Sequence, residues 1–183
     1  MQGIIKDLTE WTRQNGGHEK RFYLGLSQLH KNESDLVREM QQGSAPLDDK
    51  TVLRLALGYS VEADIRSRLE GIALALPNTQ KEIVAWYDKR VKGHIEGLTC
   101  MPNQIFEIKS TVSGNLDEIR KKNILPDAHF LQAQSYMHHG RYQSCLFVYV
   151  ARDTGELWSK ELWYIKAVGE KNGSKSEASI TPL

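Results

Sequence analysis

The sequence predicts an α/β fold, with a central mixed β-sheet flanked by helices and a helical region ahead of it. Three observations carry this expectation. Apolar residues recur at helical spacing through 1–77, the pattern turns strand-like from Glu82, and short helical segments then interrupt the strands up to residue 166. The stretch 1–168 is expected to form one domain, because 183 residues can bury a substantial single core and no composition break divides them earlier.

Taken in order, Ile4, Ile5, Leu8 and Trp11 predict a short amphipathic helix, broken at Asn15-Gly16-Gly17. Ser27 is placed to cap a second helix carrying Leu29, Leu36, Val37 and Met40, with Gly43 where a left-handed C-terminal residue is favoured. Asp48 or Asp49 opens a longer helix with Leu53, Leu57, Val61, Ile65, Leu69 and Ile72 on one broad face, stopped before Pro77. Gly58 lies inside it. A helix-interior glycine costs up to about 1 kcal/mol against alanine, so it marks a close approach by another element.

Strands are predicted over Ile83–Trp86, Val91–Leu98 and Ile105–Thr111, the last two forming a hairpin around Met101-Pro102-Asn103. Asn115–Asn123 reads as a polar helix ended before Pro126, and His129–His139 as another closed by Gly140. Ser144–Ala151 is a continuous apolar run suited to a strand buried on both faces, and Asp153-Thr-Gly-Glu156 turns into a last strand over Leu157–Ile165. The segment 169–183 is rich in Lys, Ser, Gly and Glu and is expected to be a flexible tail.

Composition narrows the function classes. The chain is 40% apolar and 26% charged, and no apolar run approaches the roughly 20 residues that span a bilayer. The N-terminus lacks the features of a signal peptide, so a cytoplasmic protein with no membrane partner is expected. Two cysteines, Cys100 and Cys145, are too few for a disulfide framework or a four-thiolate cluster. A net charge of +1 leaves any nucleic-acid grip to local clusters, for which Lys20-Arg21, Lys89–Lys92 and Arg120–Lys122 are the candidates. His94, His129, His138 and His139 match no structural zinc spacing.

Glu107-Ile-Lys109 lies in a predicted strand, where residues two apart project from one face, so a carboxylate and an ammonium point together. That pairing suits phosphodiester hydrolysis, which needs carboxylates to hold a hard cation and a group to orient water. An even hairpin loop brings Glu96 to the same face. With Pro102-Asn103 as the loop, Glu96 opposes Lys109, and a four-residue loop is the other even solution. An ordinary cross-strand salt bridge explains the same pair. Gln132 and Tyr136, four apart on a helix, present an amide and a phenol from one face, as a helix-to-sheet contact would also do.

Four segments in order, Gly58-Tyr-Ser-Val-Glu62, Gly93-His-Ile-Glu96, Glu107-Ile-Lys109 and Gln132-Ala-Gln-Ser-Tyr136, resemble the motif series of RecB-like nucleases in the PD-(D/E)XK superfamily. The stretch from His129 through Trp158 is also similar to the phage exonuclease branch, and the resemblance spans roughly residues 50–160. It implies a restriction-endonuclease-like core and a Mg2+-dependent DNA exonuclease, with Mn2+ as a substitute metal and end processing for recombination or repair as the role. It assigns Glu62, Glu96, Glu107 and the carbonyl of Ile108 as metal ligands and Lys109 to orienting or deprotonating the water. Gln132 and Tyr136 would serve the substrate or the site. DNA is the implied partner, beside a single-strand annealing or other DNA-binding protein, in the host cytoplasm for a phage-encoded chain. Glu96 departs from the aspartate usual in relatives, and the cysteine quartet of iron-sulfur members is absent, so no such cluster is expected. A structure-specific or restriction-like endonuclease and a catalytically degenerate DNA-end-binding module are the alternatives.

Overall fold

The computed structural model describes residues 2–15, 23–43 and 46–180. Helices α1 (Gln2–Asn15), α2 (Glu33–Gln42) and α3 (Asp49–Gly71) make the N-terminal region, with a two-residue strand, β1 (Leu24–Gly25), and a 3-10 turn at Leu26–Gln28 between the first two. Ser27 therefore sits inside that turn and does not cap α2, whose N-cap is Asn32. Asp48 caps α3, its carboxylate accepting from the Thr51 N–H at 2.8 Å. The long helix buries a narrower stripe than its apolar residues suggested. Val52, Gly58 and Ile65 are inside, whereas Leu57 and Ile72 are exposed.

Beyond α3 come β2 (Lys81–Val84), β3 (Val91–Ile95), β4 (Gly97–Leu98), β5 (Gln104–Thr111), α4 (Ser113–Lys122), α5 (Asp127–Gly140), β6 (Ser144–Ala151), β7 (Leu157–Trp163) and α6 (Lys166–Ile180). The fold is α/β with mixed sheets flanked by helices, but the strands fall into two sheets where one was expected. One has the order β1-β3-β2, and the other β4-β5-β6-β7, with β5 and β6 parallel and both outer pairs antiparallel. The predicted strand Val91–Leu98 breaks at Glu96, because Gly97 packs against Phe106: a Cβ there would fall 2.5 Å from the ring. The chain thus leaves one sheet and enters the other at a proposed site residue.

The four-stranded sheet lies between α3 and α5. On the α3 side Ile65, Val61 and Leu69 pack on Phe106, Ile108, Val148 and Val150; on the other, Ala133, Tyr136 and Met137 of α5 join Ile105, Cys145, Phe147 and Tyr149 in the larger core. The run Ser144–Ala151 is a strand buried on both faces, as its continuous apolarity predicts.

The segment expected to be a flexible tail is a helix as far as Ile180. Residues 181–183 lie outside the described residues. Its contact stripe is not apolar: Asn172, Ser176 and Ser179 are buried, Asn172 bonds Ser135, and Ser176 bonds Tyr87. Gly169 and Gly173 let the backbone approach, since a Cβ at either would meet Tyr164 at 2.5 Å or His138 at 3.0 Å. Small residues at helical spacing dock this helix by close approach and hydrogen bonds, a pattern invisible to apolar periodicity. α5 ends one residue later than expected, with Arg141 taking the left-handed position at φ 59°. Among the described residues no helix is long and apolar enough to cross a membrane.

Candidate active site

β5 is central in its sheet, yet half of one edge is unpaired. β6 runs along its whole length, whereas β4 pairs only with Ile105 and Phe106. From Glu107 onward that edge has no strand beside it among the described residues. Backbone groups of alternate residues turn to the same edge of a strand. Gln104 O accepts from Thr99 N, and Ser110 N–H donates to the Glu62 carboxylate, so Ile108, in the same phase, turns its carbonyl to the open edge between them.

Glu107 and Lys109 share the face toward α5. Glu107 is 2% exposed, and its Oε2 lies 3.3 Å from Lys109 Nζ. Its other oxygen accepts from Gln132 Nε2 at 3.0 Å, and the same amide donates to Tyr136 OH at 3.1 Å. The Tyr136 hydroxyl also accepts the N–H of His94, and its ring fills the space a Cβ on Gly93 would need, 2.5 Å away. The glycine of Gly93-His-Ile-Glu96 is therefore required by the tyrosine of Gln132-Ala-Gln-Ser-Tyr136. The amide and phenol predicted on one helix face form one relay that fixes Glu107.

Glu62 arrives from the other side of the sheet. α3 crosses β5 closely because Gly58 has no side chain: a Cβ would meet Ser110 Oγ at 3.2 Å. That is the close approach its helix-interior position predicted. One turn later Glu62 reaches around the open edge toward Ser110 and Lys109.

Glu96 lies where β3 gives way to β4. The hairpin adopts the four-residue loop, Cys100–Asn103, so Glu96 is in phase with Glu107 and does not oppose Lys109 as the two-residue register required. Its carboxylate pairs with Arg66 of α3, with Gln80 Nε2 at 3.5 Å.

The charges act on one another. Burial, reinforced by Glu96 and Glu62, pushes the Glu107 carboxyl up to about 7 against the pull of Lys109. Burial also raises Glu62, opposed by Lys109. For Lys109 burial acts downward, but Glu107, Glu62 and Glu96 together hold it above its ordinary value, so it stays charged. As placed, no three acidic, histidine or cysteine side chains among the described residues converge closely enough to hold an ion. Glu96 is turned to Arg66, and Glu107 to Lys109 and Gln132.

Two hollows flank Glu62. One of about 560 Å³ is lined by Lys109, Thr111, Asn115, His129 and Tyr149 among others; one of about 290 Å³ by Arg54, Tyr59, Ser110 and Arg152 among others. His129 bonds Tyr149 OH at 2.6 Å and is held down to about 4 by burial and by the Lys109 ammonium, so it is a neutral ring in this wall. The basic runs singled out in the sequence are largely engaged elsewhere. Arg90 pairs with Asp88, Lys92 with Glu82, Arg120 with Asp117 and Lys122 with Glu118. Lys20-Arg21 lies outside the described residues. The cations beside the site are isolated Arg54, Arg66 and Arg152, which no charge run flags. For Arg66 the one available signal was its position four residues beyond Glu62.

The fold is similar to that of solved exonuclease structures, at low sequence identity. The alkaline exonuclease LHK-Exo of Laribacter hongkongensis matches at TM-score 0.72 with 14% identity, over 89% of this chain and 88% of that one. Its complex with dAMP matches at TM-score 0.72 with 15% identity, over 88% of both chains. SSO0001 matches at TM-score 0.61 and 18% identity, over 98% of this chain and 87% of that one. No protein-family model matches the sequence, and neither does the sequence of any curated protein.

Proposed function

We propose that the protein is a metal-dependent DNA nuclease acting from strand ends, with roles in recombination or repair. The observation that carries this reading is the meeting of Glu62, Glu96, Glu107 and Lys109 around the unpaired edge of β5. The likeness to an exonuclease fold supports it.

The donor set suits a hard cation. Oxygen ligands are available from Glu62, Glu96, Glu107 and the Ile108 carbonyl, and burial raises the carboxyls of Glu62 and Glu107 against the pull of Lys109. A bound Mg2+ or Mn2+ would supply Lewis-acid stabilisation of the phosphate oxygens. Gln132 and Tyr136 hold Glu107 in place through one carboxylate oxygen. Lys109 keeps its proton beside these carboxylates, which fits it to orient water and steady the phosphate by charge. Arg54 and Arg152 line the adjoining hollow, where they would receive the flanking phosphate backbone.

The test is degradation of end-labelled linear DNA with Mg2+, comparing the wild type, Lys109→Ala and a chelator control. The expected result is cleavage that depends on metal and falls about 10²–10⁴-fold in Lys109→Ala. Rapid linearisation of covalently closed circular DNA would replace end-directed action with the endonuclease reading. Tight DNA binding with no cleavage would leave only an end-binding module.

A further inference from the structure

Arg66 is the charged group of the site that hydrolysis, as derived above, does not use. It stands one turn beyond Glu62 on α3, and its Nη2 donates to Glu96 Oε2, both side chains being about one-fifth exposed. Its Nε is buried and has no hydrogen-bond partner among the described residues. The guanidinium is thus drawn into the site by one carboxylate while part of its donor fork goes unused. The second contact to Glu96, from Gln80, is long at 3.5 Å. Glu96 is also the ligand candidate with the extra methylene, and its longer reach carries the carboxylate across to α3.

We propose that Arg66 is a built-in competitor for the divalent cation: it clamps Glu96 in the cation-free site, and Glu96 becomes a ligand by exchanging the guanidinium for the ion. The inference rests on the metal-dependent reading above. Three carboxylates face two fixed cations, Lys109 and Arg66, around the open edge of β5. Lys109 is tied to Glu107 on the same strand, whereas Arg66 reaches Glu96 from another element. Withdrawal of Arg66 frees one carboxylate and removes one positive charge, and both changes favour a divalent ion. The clamp lowers apparent metal affinity by the fraction of molecules in which Glu96 is free. Arg66 is then a positioning residue that acts through Glu96 and sets the cation concentration at which the site loads.

Calorimetric titration of the DNA-free protein with Mn2+ tests this. The proteins compared are the wild type, Arg66→Gln, Arg66→Lys, Glu96→Gln and the double variant Arg66→Gln/Glu96→Gln, each first shown to unfold cooperatively. If Glu96 is clamped in about nine-tenths of molecules or more, Arg66→Gln should lower the Mn2+ Kd about tenfold or more. Arg66→Lys keeps the charge but loses the planar fork, so its Kd should fall between the two, and it carries the test if the Gln variant is unstable. In the Glu96→Gln background the same Arg66 substitution should change the Kd less than about twofold, because the two side chains act as a coupled pair. Equal tightening in both backgrounds would mean simple through-space repulsion and overturn the clamp. Unchanged or weaker binding by Arg66→Gln would overturn it too, while Mn2+ binding by the wild type leaves the nuclease reading standing. Absence of Mn2+ binding in every protein would overturn both.

Discussion

Two clusters of buried ionisable groups lie along α5 and solve the burial problem in opposite ways. At the first, Glu107 accepts from Gln132, Gln132 donates to Tyr136, and Tyr136 accepts from the backbone at His94. At the second, one turn on, His139 is 8% exposed among the rings of Trp86, Tyr87 and His138, and neither of its ring nitrogens has a hydrogen-bond partner among the described residues. Burial favours the neutral form at both. It raises Glu107 to about 7 and lowers His139 to about 4, the latter helped by His138. Only Glu107 adjoins an open strand edge and further carboxylates. A perturbed titration is therefore shared by site and packing, whereas access and convergence distinguish them.

The largest expected effect that separates the clusters is at Glu107. Glu107→Gln keeps the shape and the contact with Gln132 but removes a proposed ligand charge, and DNA cleavage should fall by about 10²–10⁴-fold. Stability should move the other way. The carboxyl rises from 4.5 to about 7 on folding, so between these values the folded state binds more protons than the unfolded. This group's penalty is absent below about pH 4.5 and complete above about pH 7, on the order of 1–3 kcal/mol. Glu107→Gln should therefore gain most in urea unfolding at pH 8 and least at pH 4.5. Equal gains at both would mean that Glu107 carries no folding cost and that the contrast with His139 is misdrawn.

Gly93→Ala breaks the first cluster from outside. A Cβ 2.5 Å from Tyr136 Cε1 has to displace the ring, which in turn loosens Gln132 from Glu107. Overpacking of this kind costs about 1–3 kcal/mol. The same variant should lower cleavage although Gly93 carries no chemistry. Removing the phenol alone, in Tyr136→Phe, should reproduce the catalytic part of the loss with less of the destabilisation. Full activity in a folded Gly93→Ala protein would detach the relay from function.

How far the sequence reaches differs between the same two regions. Glu107 and Lys109 on one strand face, Gln132 and Tyr136 on one helix face, and the close approach at Gly58 follow from periods of two and 3.6 and from glycine's missing side chain. The break at Glu96 does not, because it depends on Gly97 meeting Phe106 across the hairpin. Arg66 is hidden for a related reason, since its partner lies 30 positions away on another element. At the second cluster the sequence places His138 and His139 on a helix but does not reveal their packing. That packing depends on α6, whose polar stripe of Asn172, Ser176 and Ser179 docks by hydrogen bonds that apolar periodicity cannot register.

His139→Phe sharpens the comparison with the smallest expected effect. Both imidazole nitrogens are buried and have no partner among the described residues, so a ring of similar shape without them should gain roughly 1–2 kcal/mol at pH 7. The pH dependence runs opposite to that of Glu107. The ring falls from 6.5 to about 4 on folding, so the unfolded chain binds more protons in this window, and stability from this group drops as the pH falls through it. The gain in His139→Phe should accordingly be larger at pH 5 than at pH 7. His129, also lowered to about 4, keeps a residual slope of the same sign. Cleavage of DNA should be unchanged, because His139 faces Trp86 and Tyr87 and lines neither hollow beside Glu62. A loss of stability would show that a polar partner such as an ordered water satisfies the ring, and the second cluster would then be built like the first.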